Sequence, residues 1–230
     1  MRFTKGWLLL LATCAFGQQY HSNDLTPPLA TAAKLTSASK GKQVGSGANY
    51  HAYRLNGNAL AATDLNPPGY SQSYATASDD ASECGYGWGL TGYRALKWSG
   101  TGTAYTELQQ PSGYNASFCL STDNGQQGGF AQNLIYSVTV EHGMFWDAAG
   151  TANDLHPTTS GYAYSRVVGV KAGEQVGYVS QVPYPYGDAI GVYHPTSHAY
   201  RWTGTAASGT DMHPALFDAS EITLYSSASR

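Results

Sequence analysis

Residues 197–214 read SHAYRWTGTAASGTDMHP and place two histidines, an aspartate, an arginine and a tryptophan close together. His198, Asp211 and His213 are residue types that ligate metals, and a His–Asp pair can also move a proton. Either chemistry asks for a unique constellation, and this one recurs. His51, His142 and His198 open the related segments HAYRLNG, HGMFWDA and HAYRWTG, while Arg94 opens RALKWSG in the corresponding place. An acid followed by Leu or Met recurs at Asp24, Asp64, Glu107, Asp154 and Asp211; His156 and His213 follow two of these acids where Asn66 follows another. A residue repeated once per unit points to one bond made in every unit rather than to a single reaction centre. Arg94 and Asn66 would disable a metal set and spare a polar scaffold. The residues therefore predict a His–carboxylate hydrogen bond within each unit, with His51, His142, His198, Asp64, Asp154 and Asp211 as structural anchors, no metal site and no cofactor.

The elements that position these anchors follow from the spacing. A third anchor is a glycine: GKQVG ends at Gly45, ASECG at Gly85, GQQGG at Gly129 and GEQVG at Gly177. Acid to glycine spans 21, 21, 22 and 23 residues, and the His/Arg anchor lies 13, 13, 12 and 13 residues before the next acid. Glycine to the His/Arg anchor spans 6, 9, 13 and 21, so nearly all length variation sits in one connection. A rigid scaffold carrying one variable loop per repeat has this signature. Each unit reads as four short strands; in the fourth these are 164–170, 174–179, 198–202 and a strand ending near Asp211. Four-stranded units of this length match β-propeller blades. The predicted fold is all-β: a propeller-like array of four four-stranded repeats anchored at Asp24, Asp64, Glu107 and Asp154. A partial unit starts at Asp211, with a trailing strand near Glu221–Tyr225. Incomplete terminal strands leave either a two-stranded seam or a shortened version of a longer array. Open strand edges make self-association a candidate property.

Composition supports this and narrows the partners. Only 12% of residues are charged, whereas glycine (27) and tyrosine (18) are abundant, which suits short turn-bounded strands. The formal charge of −3 is scattered, without the basic stripe that nucleic acid requires. Residues 1–17, MRFTKGWLLLLATCAFG, have the cationic start, apolar centre and small-residue end of a secretory signal peptide and are too short to span a bilayer. The expected mature domain is 18–230, secreted and without a membrane span. Thr13 disfavours lipid attachment at Cys14.

HAYRWTGTAASGTDMHP, followed by ALFDASEIT, resembles the HAF-repeat family of bacterial extracellular proteins, whose repeats carry HA-x-x-W-x-GTA, DLHP and a Gly-Gln-Gln-Val-Gly turn. The resemblance covers the chain from about residue 20 onward. It departs at Tyr53 and Tyr200, which stand for Phe, at Arg94 for His and at Glu107 for Asp. It implies the repeat architecture and secretion and carries no activity.

The unrepeated residues remain. Asp79, Asp80, Glu83, Asp123, Glu141, Asp147 and Asp188 could supply a glycosidase-type carboxylate pair, and no spacing singles any of them out. STDNGQQGG (121–129) reads as a turn rather than a calcium loop. Cys84 and Cys119 fall in register with apolar core positions (Val44, Gly128 and Val176; Leu35, Ala75 and Val167). Two buried thiols are the favoured reading, and a disulfide between adjacent units stays open. Tyr70, Tyr114, Tyr162 and Phe217 recur after the acids and are expected to pack between units. Tyr86, Trp88 and Tyr93 of the second unit, Tyr136 of the third and Tyr184, Tyr186 and Tyr193 of the fourth fall in the variable connections; Trp88, Tyr136, Tyr184, Tyr186 and Tyr193 are the candidate ligand-binding residues. Aromatic faces with polar tips suit sugar rings or protein partners. The expected function is a secreted, non-enzymatic module binding extracellular glycan or protein. The alternatives are a propeller-type enzyme acting on an extracellular glycan and a structural repeat that assembles.

Overall fold

The computed structural model describes residues 25, 33–57, 60, 62–99, 102–135, 138–158, 161–181 and 197–213. They form an all-β structure of four antiparallel meanders, and no α-helix occurs among them. The first unit comprises β1 (Ala33–Ser39), β2 (Lys42–Gly47), β3 (Ala52–Leu55) and β4 (Thr63–Asp64). The second comprises β5 (Gln72–Ser78), β6 (Ser82–Gly89), β7 (Gly92–Ser99) and β8 (Tyr105–Glu107). The third has β9 (Ala116–Asp123), β10 (Gln126–Ile135), β11 (Val138–Trp146) and β12 (Ala152–Asp154). The fourth has β13 (Tyr164–Lys171), β14 (Glu174–Ser180), β15 (Ser197–Trp202) and β16 (Thr210–Asp211). Each strand pairs with the next in its unit, and a single parallel bridge, Glu141 to Tyr164, joins the third unit to the fourth.

Local chemistry fixes the unit. The β1–β2, β9–β10 and β13–β14 hairpins turn on Lys40-Gly41, Asn124-Gly125 and Ala172-Gly173, with positive φ at both residues of each pair. This tight turn matches the right-handed twist of the strands it joins. Every first strand then carries a bulge, at Thr36, Thr76, Leu120 and Val168. The bulge swings a first-strand carbonyl under the neighbouring strand. A Cβ at Gly45, Gly85, Gly129 or Gly177 would overlap the carbonyl oxygen of Lys34, Tyr74, Phe118 or Arg166 respectively. The repeated glycine is thus a close-approach residue, required by space rather than by φ.

The core sits between units. Val44, Ala52 and Leu65 of the first unit and its exit pack on Ala75, Leu96 and Trp98 of the second. Cys84, Ala95 and Leu108 meet Cys119, Ala131, Met144 and Trp146 of the third. Phe145 and Leu155 meet Val167, Val179, Tyr200 and Trp202 of the fourth. The second and third sheets each bury one face against the preceding unit and the other against the following one.

One expectation changes on this scaffold. The added length of the second and third units is not loop. Trp88 lies in β6 and Tyr93 in β7, joined by the two-residue turn Leu90-Thr91, and β10 and β11 form a longer arm of the same kind. Antiparallel pairing continues past the body of each sheet because it satisfies backbone groups that a loop would leave to water. Asp24, Phe217, the trailing strand 221–225, residues 1–17 and the loop 182–196 lie outside the described residues.

Candidate functional site

The repeated polar residues form one network, built three times. His51 Nδ1 lies 2.7 Å from Asp64 Oδ2, His142 Nδ1 2.8 Å from Asp154 Oδ2, and His198 Nδ1 2.6 Å from Asp211 Oδ2. The other oxygen of each aspartate accepts the backbone N–H two residues on, at Asn66, His156 and His213, and so shapes the exit from the unit. Burial pushes the Asp154 carboxyl up, but hydrogen bonds from His142 and the His156 backbone outweigh it and hold the group below its ordinary range. Asp211 behaves alike, with His198 and His213 as donors.

Tyrosines in the connections extend this network. Tyr70, Tyr114 and Tyr162 donate their hydroxyls to Glu107, Asp154 and Asp211 of the unit they enter. Tyr162 is pushed up to about 12 by burial and by its bond to Asp211. Serines then cross the boundary. The N–H groups of Ala52, Ala95 and Gly143 donate to Ser73, Ser117 and Ser165 of the following unit. Each serine bonds the side chain of Asn66, Gln110 or His156, which in turn contacts the carbonyl oxygen of Tyr70, Tyr114 or Tyr162. Asn, Gln and neutral His share the needed property, one acceptor and one donor on a single side chain. In the second unit Arg94 leaves Glu107 and donates to the carbonyls of Tyr93 and Asn115. Among the described residues, no group of three or more His, Cys, Asp or Glu side chains is placed to hold a metal ion.

Acids that do not repeat key particular units together. Arg54 and Lys42 of the first unit both meet Glu83 of the second, at 3.1 and 3.0 Å, and Arg54 and Glu83 are buried. Arg166 of the fourth grips Glu141 of the third through two bonds of 2.5 and 2.7 Å, and its guanidinium lies 4.0 Å over the Phe130 ring. Burial pushes the Glu141 carboxyl up, against the pull of Arg166. Neither pair was foreseen; the signal available was an acid, Glu83 or Glu141, standing at a strand position that is uncharged in other units. The remaining described acids are also engaged: Asp79 and Asp147 accept backbone N–H groups in turns, Asp80 pairs with Lys40, and Asp123 pairs with Lys171.

Among the described residues, an aromatic surface on the second unit is open to a ligand. On a shared face of the second unit, Tyr74 stacks on Tyr86 at 5.1 Å, and Tyr93 sits edge-on to both Tyr86 and Trp88, 4.7 Å from the latter. Phe118 backs Tyr86 and Tyr93 and stacks on Phe130. At its open end Trp88 is 45% exposed and Leu90 is fully exposed. Gln72 stands across from Trp88 in the strand pairing, with its amide oxygen 3.2 Å from the Tyr74 hydroxyl. Tyr136, Tyr184, Tyr186 and Tyr193 lie outside the described residues. In comparison with known proteins, the chain matches no family model and no curated protein. Among the described residues, no helix is long and apolar enough to cross a membrane.

Proposed function

We propose that the chain is a secreted, non-enzymatic repeat protein of propeller-like architecture, akin to the HAF-repeat proteins, that binds extracellular glycan through the aromatic patch of its second unit. The observation that carries this reading is Trp88, half exposed and held edge-on by Tyr93 beside an amide and a tyrosine hydroxyl. A flat indole fixed from behind, with neutral hydrogen-bonding groups at its rim, suits the apolar face and hydroxyls of a sugar ring. The engagement of every described unrepeated acid in a turn or an ion pair argues against carboxylate-pair hydrolysis. The propeller reading draws support from successive first strands that pack on one another while each sheet faces the next. A second reading, association between copies, draws on Leu35 and Val176, which are 40% and 45% exposed at positions buried in the inner boundaries. Its route is through sheet faces rather than strand edges.

A glycan-binding screen of the mature chain, with light scattering on the same sample, tests both. The glycan reading expects a monomer whose binding is lost in Trp88→Ala and reduced in Tyr93→Ala. Binding that survives Trp88→Ala rejects the assignment of this patch, and a concentration-dependent oligomer without glycan signal favours association.

A further inference from the structure

Three equivalent boundaries hold the four units together, and they can be read against one another. At the first, Thr36 Oγ1 donates to the carbonyls of Val44 and Ala75; at the second, Thr76 Oγ1 is 3.1 Å from the Cys84 carbonyl oxygen and 2.8 Å from that of Cys119. Cys84 and Cys119 therefore occupy the places of Val44 and Ala75, and of Gly128 and Val167 at the third boundary. The third boundary measures the gap, because a Cβ at Gly128 would stand 2.7 Å from Val167 Cγ1. Gly128 and Val167 hold the backbone places of Cys84 and Cys119 in the strand register. In a disulfide a Cβ and the partner sulfur are about 3 Å apart, as follows from a sulfur–sulfur bond of about 2.05 Å. Both cysteines are free thiols fully buried in one cluster; the Cys119 thiol donates to the Ser121 and Gly128 carbonyls, and Thr76 Oγ1 lies 3.7 Å from Cys84 Sγ.

We propose that Cys84 and Cys119 are a redox site, a thiol pair that closes to a disulfide stapling the second unit to the third. One thiol, deprotonated, attacks a small disulfide, forms a mixed disulfide and expels one small thiolate. The second cysteine then attacks the mixed disulfide, forms the Cys84–Cys119 bond and expels the other. Two cysteine thiols lose two protons and two electrons, and the small disulfide takes them up as two thiols. Burial, with Cys84 beside it, pushes the Cys119 thiol well above its ordinary value, so the folded protein holds little thiolate. Closure accordingly belongs to folding, before the units dock, and the finished bond is shielded from reductant. Export would decide where the oxidant is met; the closure itself does not depend on it.

The test is refolding of the full chain across a series of glutathione ratios, followed by denaturation, alkylation and tryptic mapping without reduction. In oxidising buffer, peptide 55–94 should be found joined to peptide 98–166 and lighter by two hydrogens, with both alkyl labels lost. A double variant, Cys84→Val with Cys119→Ala, copies the first boundary and keeps the packing. Its denaturation midpoint should not respond to reductant, whereas that of the natural chain should fall. Full labelling of both cysteines at every ratio, or crosslinks only to Cys14 or between copies, would overturn the proposal.

Discussion

The boundary between the first two units and the outer face of the fourth present the same positions in opposite circumstances. At the boundary Val44 is fully buried, Arg54 is buried against Glu83, and Leu65 in the exit segment is covered by Trp98, whose indole N–H donates to the Leu65 carbonyl. On the outer face Val176 is 45% exposed, Arg201 pairs with its surface neighbour Glu174, and Met212 is 54% exposed. The strands, turns and His–acid pair are alike in both places. What differs is whether another unit lies on top. A sheet of four short strands buries too little by itself, so stability resides in the boundaries and sequence similarity between repeats does not mean equal contribution.

Changes inside a unit should ignore this difference, and they should have the largest effect. Gly85→Ala and Gly177→Ala both drive a methyl into a first-strand carbonyl, so each should lower stability by about 3 kcal/mol or more in chemical denaturation. Tolerance of Gly177→Ala alone would say that the fourth unit is built differently from the second. The boundary itself is addressed by Arg54→Met and Arg201→Met. The first strands the buried Glu83 carboxylate with only Lys42 and should destabilise by about 3 kcal/mol, while the second should stay within about 0.5 kcal/mol. Equal effects would break the comparison.

The smallest effect is a pH dependence. Burial, and then the nearby His142, hold His156 below its ordinary value, so the unfolded chain takes up this proton first as pH falls. A folded-state value below the unfolded one means stability is lost on acidification from about pH 6.5 downward and regained as pH rises. His156→Asn installs the residue that the first unit uses at Asn66. It should be nearly neutral at pH 7 and should flatten the stability profile between pH 7 and 5; an unchanged profile would remove His156 from that role.

Much of the unit was legible because its anchors are spaced by strand and turn lengths. The strands read over 164–170, 174–179 and 198–202 coincide, within a residue or two, with those of the fourth unit, and each unit's last strand ends at its anchor acid. The reason for the glycine was not legible. It depends on a bulge one strand away, and bulged residues as different as Thr36, Thr76, Leu120 and Val168 leave no common pattern. The added length between glycine and histidine read as loop, since it varies from 6 to 21 residues between units. In the structure Gly87 and Gly89 lie in a strand under the Tyr70 ring, where a Cβ at Gly87 would crowd it. Of the candidate binding residues, Trp88 is the one whose surroundings are described. Its partner Tyr93 stands in the same connection in the sequence, whereas the Phe118 backing comes from the next unit and no linear spacing connects it to Trp88.

The central claim is that packing between consecutive units, and not any unit alone, holds the fold. It is tested most directly by measuring the unfolding free energies of Leu65→Ala, Leu108→Ala, Leu155→Ala and Met212→Ala side by side. These residues follow the anchor acid in successive units, the first three buried and the last exposed. The account predicts losses of about 2–5 kcal/mol for the three leucines and less than about 0.5 kcal/mol for Met212. A loss at Met212 as large as the others, or leucine variants with no loss, would contradict it.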